Sequence, residues 1–305
     1  MKTLRTLAFT TAGFAYAVIV LGFVVRITNS GLGCGPDWPL CNGQIIPEFT
    51  SSEVVIEWYH RLAVVGLTVL TLAVAAVAWS ARRQPGGAGR RSPLRAAFLA
   101  VGLLLLQSFL GALTVWLELP PGTVVLHLGV GLALLAAFVM AGIRAGTSAG
   151  TITAPVPEDR LRRAGVIAAT VLGLVVVLFG GLTATTGAAP ACQGFPLCSG
   201  RLWPTAAESG LPHIHWTHRL LAYGLFFHLM GLAIGFRKRG ASQRLRRTAW
   251  TAFAFVIAQV AVGAVMVLTL LPPVWRGLHA AIGTALWIVL VLMMWQASGE
   301  EPQTT

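Results

Sequence analysis

Charge is scarce in this 305-residue sequence, and acids are scarcer than bases. Only 10% of the residues are charged, ten of them Asp or Glu, whereas 56% are hydrophobic. Such a chain has too little polar surface to cover a soluble globule of this size. The composition therefore excludes a soluble globular protein and predicts an integral membrane protein.

Eight apolar runs are long enough to cross about 30 Å of hydrocarbon as a helix. A helix satisfies its backbone groups within one span, and the runs are too long and uniform for barrel strands. The predicted fold class is therefore an all-α integral membrane protein with eight transmembrane helices. The runs lie near 5–27, 55–79, 95–117, 123–144, 163–184, 214–236, 247–270 and 276–297.

The first run follows the short basic stretch Met1–Arg5. Its length of about 20 residues exceeds the roughly 7 to 15 of a signal-peptide core, so we expect a retained helix. No Arg-rich and Ser-rich leader precedes it. This pattern favours a bacterial plasma membrane over a mitochondrial one.

The basic residues predict the orientation of the chain. With the N-terminus in the cytoplasm, 17 of the 22 Lys and Arg fall on the cytoplasmic side. The positive-inside rule therefore predicts that both termini are cytoplasmic. Topology and contact with anionic lipid account for the net charge of +12, so no nucleic acid is expected. The bases left on the outer side are Arg26, Arg61, Arg201, Arg219 and Arg276.

Two segments of the first half recur in the second. Glu57–Leu62 (EWYHRL) matches His215–Leu220 (HWTHRL), and Gln107–Leu134 matches Gln259–Leu286 at an offset of 152 residues. Each half contains four predicted helices, so both halves have the same orientation, as in a parallel repeat. The sequence predicts two tandem, pseudo-symmetric four-helix bundles, at 1–150 and 151–305.

Four histidines form two equivalent pairs, each about one turn inside the outer end of a predicted helix. Imidazole within a membrane is costly unless it has a partner or a ligand. A lone helical histidine is usually a hydrogen-bonded core residue, but paired imidazoles in a four-helix bundle are the usual axial ligands of a b-type heme. The pattern predicts two heme irons, one held by His60 and His127 and the other by His218 and His279.

Two arginines and two glutamines accompany the histidines at matched positions. Arg61 and Arg219 follow the ligand histidines and are predicted to bind heme propionates. The alternative is that they snorkel to the outer interface. Gln107 and Gln259 are predicted to be interhelical hydrogen-bond partners rather than ligands.

Glu57 breaks the symmetry of the two halves. It lies three residues before His60 on the same helical face, whereas the aligned position in the second half is His215. A carboxylate near a heme edge can accept a proton, stabilise developing positive charge or pair with a buried arginine. An interfacial carboxylate without a role remains the alternative.

All four cysteines lie in two predicted extracytoplasmic loops, where disulfides persist. Two disulfides within the loops are predicted, Cys34 with Cys41 and Cys192 with Cys198. Free thiols and a metal clip are the alternatives, although the spacings of six and five intervening residues are a poor fit to a zinc site.

Together these features resemble the heme A synthase family. The shared pattern is two four-helix halves, Glu-x-x-His-Arg in the second helix, His in the fourth, sixth and eighth, and paired cysteines in the first and third outer loops. The resemblance covers nearly the whole chain, and its specificity lies in the combination. It implies oxidation of the C8 methyl of heme O to a formyl group, with oxygen from water, giving heme A for a terminal oxidase.

The resemblance also implies different roles for the two halves. His60 and His127 would bracket the substrate heme O, and Glu57 would assist the chemistry. His218 and His279 would ligate a resident heme b. The cysteine pair of the first loop would be either redox-active or a structural staple.

Two other classes compete with an enzyme. A membrane b-type cytochrome that only transfers electrons usually places its hemes at opposite sides of the bilayer, whereas these histidines all lie toward one side. A transporter with parallel repeats needs charged or broken helices at matched mid-membrane positions, which the sequence lacks. The expected partners are heme O, membrane lipid, the enzyme that supplies heme O, a quinone or redox protein as electron acceptor, and a second copy in a homo-oligomer.

Overall fold

Long helices dominate the computed structural model, which describes residues 1–87, 92–155, 158–204, 210–238 and 240–299. Within these ranges eight helices are long and apolar enough to cross a membrane, and no strand extends beyond an isolated bridge. The predicted fold class is confirmed. The helices are α1 Lys2–Ile27, α2 Ser52–Ser80, α3 Pro93–Trp116, α4 Pro121–Ser148, α5 Arg160–Thr185, α6 Leu211–Lys238, α7 Gln243–Leu268 and α8 Pro273–Ala297.

The chain divides into two compact units, Met1–Thr153 and Ala154–Thr305. In the first, α1 packs against α2 and α4, and α3 packs against the same two helices. In the second, α5 and α7 each pack against α6 and α8. The division falls close to the predicted boundary at 150, while the assignment of a particular heme to each unit stays a prediction. Three basic residues used to predict the orientation, Arg90, Arg91 and Arg239, lie outside the described residues.

All eight helices begin before the apolar run that predicted them, and in six of them a polar cap or a proline marks the earlier start. Ser51 accepts a hydrogen bond from the Val54 amide at the start of α2. Asp159 caps α5 in the same way, and Ser242 caps α7. Such side chains satisfy amides that have no partner inside the helix. Prolines occupy the first position of α3, α4 and α8, where the missing N–H costs nothing.

The earlier helix starts correct the predicted depth of the histidines. His60, His127, His218 and His279 lie six to eight residues after the first residue of their helices. At 3.6 residues per turn this is about two turns, not the one turn that the apolar runs predicted. The four rings therefore lie deeper in their bundles than expected.

Small side chains close one end of the first unit. The packed core there combines the beginnings of α1 and α3 with the ends of α2 and α4, and alanine is its main residue. Small residues let helix backbones approach closely. The opposite end of each unit, where the cysteine loops lie, is called the cysteine end below. The core residues of the first unit are Leu4, Ala8, Val74, Ala78, Ala96, Ala97, Ala141 and Ala145.

Unusual turns join α3 to α4 and α7 to α8. Glu118 and Leu119 both adopt left-handed backbone angles (φ 60° and 62°), as do Leu270 and Leu271 (φ 65° and 62°). In each turn the amide of the second residue donates to the carbonyl five residues earlier, at 2.8 Å. A left-handed conformation costs a non-glycine residue about 1–2 kcal/mol. Both turns then continue into Pro-Pro, so each fixes where the next histidine-bearing helix begins.

Labelling of single introduced cysteines tests the orientation. Glu48 and Gln243 are exposed, at the cysteine end and in the first position of α7 respectively. In intact cells we expect a membrane-impermeant maleimide to label Glu48→Cys but not Gln243→Cys. The four natural cysteines are disulfide-bonded and give no background. Permeabilised cells, in which both variants should react, are the control, and the reverse pattern in intact cells would contradict cytoplasmic termini.

Candidate heme-binding site

Each of the four predicted ligand histidines lies over a glycine of the preceding helix. A Cβ added at any of these glycines would come within 3.0–3.3 Å of the ring carbon Cε1. Contacts this close are tighter than side chains normally make, so only glycine leaves room for the ring as it stands. The pairs are Gly22 with His60, Gly111 with His127, Gly180 with His218 and Gly263 with His279.

All four rings share an unsatisfied nitrogen. The buried Nδ1 atoms of His60, His127, His218 and His279 have no hydrogen-bond partner among the described residues. Leaving a buried polar atom unpaired costs about 1–3 kcal/mol. Nδ1 of His215, which is not a predicted ligand, is in the same state, so the unpaired nitrogens are compatible with metal binding but do not by themselves identify the ligands.

The spacing in the second unit fits an iron between two imidazoles. The ring centroids of His218 and His279 lie 6.5 Å apart. Metal–imidazole bonds of about 2 Å on opposite sides of one ion would separate two ring centroids by roughly this distance. The separation of the two rings therefore matches that of two axial ligands of one iron.

The described residues contain no group of three or more His, Cys, Asp or Glu that could hold a metal ion. Two imidazoles are too few for a bare zinc site, which takes four ligands. They are sufficient for an iron whose remaining bonds come from a porphyrin. The donor set therefore fits heme better than a free metal ion.

A partly open pocket lies beside His218 and His279. Its walls are mostly apolar, and Arg219 and Tyr223 also line it. An apolar pocket with a cation in its wall suits a flat, hydrophobic ligand that carries carboxylates on one edge, as heme does.

The glutamines lie beside the histidine helices as predicted. Nε2 of Gln107 is 3.1 Å from Nε2 of His127, so an interhelical contact joins α3 to α4. Gln107 also packs on Gly131, where an added Cβ would lie 3.1 Å from its Nε2. Gln259 has the same relation, at the same distance, to Gly283 of α8.

In the first unit, Glu57 and Arg61 form a buried ion pair that holds the cysteine loop. Glu57 is 3% exposed, and its Oε1 accepts hydrogen bonds from Arg61 Nη2 at 2.5 Å and Nε at 3.2 Å. The other carboxylate oxygen accepts from the Cys34 amide at 2.8 Å. Arg61 Nη1 donates to the Leu40 carbonyl. Of the interpretations left open for Glu57, the structure contains the buried arginine partner.

In the second unit, Arg219 holds the other cysteine loop without a carboxylate. Its Nη2 donates to the Cys192 carbonyl at 2.6 Å, and its Nη1 to the carbonyls of Leu197 and Gly194 at 2.8 and 2.9 Å. Its Nε donates to Nε2 of His215 at 3.2 Å. One guanidinium therefore satisfies three loop carbonyls and is steadied by the histidine one turn away.

The predicted cysteine pairing is confirmed. Both disulfides are buried, and their Cα atoms lie 4.3 and 4.6 Å apart. Trp58, the residue after Glu57, packs against the first disulfide. Trp216, the residue after His215, packs against the second. In both loops the arginine binds the carbonyl just before the second cysteine. The disulfides are Cys34–Cys41 and Cys192–Cys198.

The arginines have a loop-holding role that the sequence did not reveal. Binding of propionates by Arg61 and Arg219 stays a prediction. Arg219 keeps a place in the cavity wall, so propionate binding in the second unit stays a prediction with a geometric basis. Arg61 directs its hydrogen bonds to Glu57 and Leu40.

Sequence reasoning also missed the glycines beneath the rings, although a signal was present. Gly22 and Gly180 are separated by the same 158 residues as His60 and His218. The other two, Gly111 and Gly263, keep the 152-residue offset of the second repeat. A search for glycines that follow the histidine offsets would have found all four. The contacts with loop carbonyls leave no such signal, since any residue supplies a carbonyl.

Comparison with known proteins gives consistent relatives. The family model for COX15-CtaA, described as cytochrome oxidase assembly protein, matches residues 5–291. A heme A synthase from Symbiobacterium thermophilum is 33% identical over 301 residues, covering 95% of this chain and 94% of the relative. Heme A synthases from Shouchella clausii and Alkalihalophilus pseudofirmus are each 31% identical, covering 96% and 88% of this chain and the same shares of their own lengths.

Adding one methyl group beneath a histidine tests the site. In Gly180→Ala the new Cβ would lie 3.0 Å from Cε1 of His218, so the ring must shift. We expect the purified protein to lose heme or its low-spin bis-imidazole spectrum. Gly231→Ala, in an open position on α6, is the matched control and should keep both. Equal heme content and identical spectra in the two variants would contradict the assignment.

Proposed function

The chain belongs to the COX15-CtaA family of cytochrome oxidase assembly proteins, and we propose that it oxidises heme O to heme A for a terminal oxidase. The observation that carries this proposal is a difference between its units. Each holds a pair of histidines over glycines, and among the described residues only the first places a buried carboxylate one helical turn from a predicted ligand histidine. The relatives named heme A synthase support the reaction.

The two histidine pairs divide between substrate and cofactor in this proposal. His60 and His127 bind the iron of the substrate heme O. His218 and His279 hold a resident heme b, whose redox chemistry is that of its iron. The pocket beside the second pair supports the latter assignment, since its walls are apolar and both histidines line it.

Conversion of a methyl to a formyl group adds one oxygen and removes four electrons. With water as the oxygen source, each heme O consumes one water and releases four protons and four electrons, which pass to a quinone or a redox protein. The protein must therefore accept protons and tolerate positive charge beside the reacting carbon. A carboxylate serves both needs.

Glu57 is the catalytic residue in this proposal. Three N–H donors, two from Arg61 and one from Cys34, fix its carboxylate. A carboxylate has about four lone-pair directions, so one remains for the substrate. Its position one turn from His60 places it near the edge of any porphyrin bound there.

A cytochrome that only transfers electrons is the weaker alternative. It would explain two heme sites, but it would need neither a carboxylate in one unit nor a heme that leaves. The family favours the oxidase-assembly reaction over this alternative. The protein is a multi-pass membrane protein. We further propose that it lies in a bacterial plasma membrane with its cysteine end outside, and that it receives heme O from the producing enzyme.

Heme extraction tests the reaction and the role of Glu57 together. After co-expression with a heme O source, we expect the wild type to yield a formyl heme, identified by mass and by its pyridine hemochrome spectrum. Glu57→Gln keeps an acceptor for the Cys34 amide but removes the charge. We expect at least a hundredfold loss of conversion, in line with general-base or electrostatic catalysis, with the heme b spectrum unchanged.

Glu57→Ala, which removes the acceptor as well, should lose conversion to the same extent. Normal formyl heme production in Glu57→Gln would contradict a catalytic carboxylate. Absence of formyl heme from the wild type, with heme O present in the membranes, would contradict the proposed function itself.

Alanine variants of the ligands test which unit keeps heme. We expect His218→Ala and His279→Ala to lose the resident heme, since one of its two axial bonds disappears and the remaining histidine must hold the iron alone. His228→Ala is a matched control, because His228 also lies within α6 but its Nε2 is 2.8 Å from the Gly165 carbonyl. Heme per protein, measured on purified samples, should fall only in the first two variants. Full heme content in either of them would contradict axial ligation.

A further inference from the structure

The two units differ in charge at one matched position beside their predicted heme sites, which is Glu57 in the first unit and His215 in the second. In the first, the cation of Arg61 pairs with the carboxylate of Glu57 at 2.5 Å, so the pair is neutral. In the second, the corresponding Arg219 has His215 as its neighbour, through a bond from Nε to the imidazole Nε2. The histidine accepts that hydrogen bond as an uncharged ring and leaves the cation in place.

Within the part of the chain that the structure describes, no acidic residue pairs with Arg219. Arg219 makes no ion pair among the described residues, and its remaining hydrogen bonds go to uncharged carbonyls. Of the residues that line the cavity, Arg219 is the one charged side chain and none is acidic. Its side chain is largely shielded, since the residue is 6% exposed. A poorly hydrated, unpaired cation beside an apolar cavity strongly favours an anionic ligand.

We propose that the exchange of Glu57 for His215 makes the second unit retain its heme and the first unit release it. This inference rests on the proposed function, in which one heme is a cofactor and the other a substrate that must leave. Heme carries two propionates, so an unpaired cation near the cavity holds it by charge as well as by its axial bonds. A neutral Glu–Arg pair provides no such hold. His215 is therefore a positioning residue that steadies Arg219 without cancelling its charge.

The size of the effect follows from Coulomb's law. For charges about 10 Å apart at an effective dielectric of about 20, one unit charge changes a binding equilibrium roughly tenfold. The two propionates act together, and lipid headgroups and water at the membrane surface reduce the effect. A tenfold difference in retention is therefore the expected scale, enough to separate a cofactor from an exchanging substrate when both have two axial histidines.

The test gives the second unit the charge of the first. His215→Glu places a carboxylate one turn from Arg219, whereas His215→Gln is uncharged and can still accept the hydrogen bond. Purified holoprotein in detergent is mixed with excess apomyoglobin, and the transfer of heme is followed by absorbance. We expect roughly tenfold faster transfer from His215→Glu and a rate within twofold of the wild type from His215→Gln.

The midpoint potential of the resident heme gives a second readout that altered folding alone would not move in a fixed direction. An added negative charge stabilises the oxidised iron, so we expect a lower potential in His215→Glu. A tenfold effect corresponds to about 59 mV for one electron. His215→Gln should remain near the wild type.

Two results would overturn the inference. One is wild-type transfer and potential in His215→Glu, which would mean that charge at this position does not matter. The other is equal impairment of His215→Glu and His215→Gln, which would assign His215 a role through its shape. Both measurements are independent of formyl heme production, so a failure of the proposed reaction is seen separately in the extraction experiment.

The reverse variant keeps the inference testable if His215→Glu does not fold. Glu57→Gln leaves Arg61 without its counter-charge. Because this variant also blocks conversion, heme O is added to the purified proteins without an electron acceptor, so that neither the variant nor the wild type turns over. We expect transfer of heme O to apomyoglobin to be roughly tenfold slower from Glu57→Gln than from the wild type. An unchanged transfer rate would overturn the inference.

Discussion

An imidazole inside a membrane bundle must have a partner for its ring nitrogens and space for its ring, and the rest of this structure follows from that requirement. Space comes from glycines in the preceding helices. A Cβ added at any of them would lie only 3.0–3.3 Å from the ring carbon Cε1. Glycine weakens a helix, so the packing must be firm elsewhere. The alanine-rich core at the opposite end of the first unit is tightly packed, since Ala97 and Ala141 are fully buried there.

The cysteine loops depend on the same helices that carry the histidines. A disulfide alone closes a loop but does not fix it to a helix. Arg61 and Arg219, each one residue after a predicted ligand histidine, fix the loops by donating hydrogen bonds to loop carbonyls. Any movement of a loop therefore acts on the helical turn that contains a predicted ligand. This coupling gives a physical reason for cysteine loops to adjoin both predicted sites.

Much of the fold could be predicted from the sequence, since apolar length and repeat offset are one-dimensional signals. The eight helices, the cysteine pairs and the role of Gln107 followed from them. Helix starts were placed too late because polar caps such as Ser51 and Asp159 do not register as apolar, and the histidines were consequently placed a turn too shallow. The loop contacts of Arg61 and Arg219 could not be predicted, because their acceptors are backbone carbonyls without a side-chain signature.

The position of Glu57 shows why a duplicated site can diverge by so small a change. In the proposed reaction its carboxylate must stay near the substrate, and three N–H donors hold it there. The ion pair that orients the carboxylate also cancels the cation that would otherwise hold the propionates of the substrate. Reactivity and release then come from one side chain, whereas the uncharged ring at His215 supports retention and offers no carboxylate to react. A single residue difference on a shared scaffold would thus suffice to make one heme a substrate and the other a cofactor.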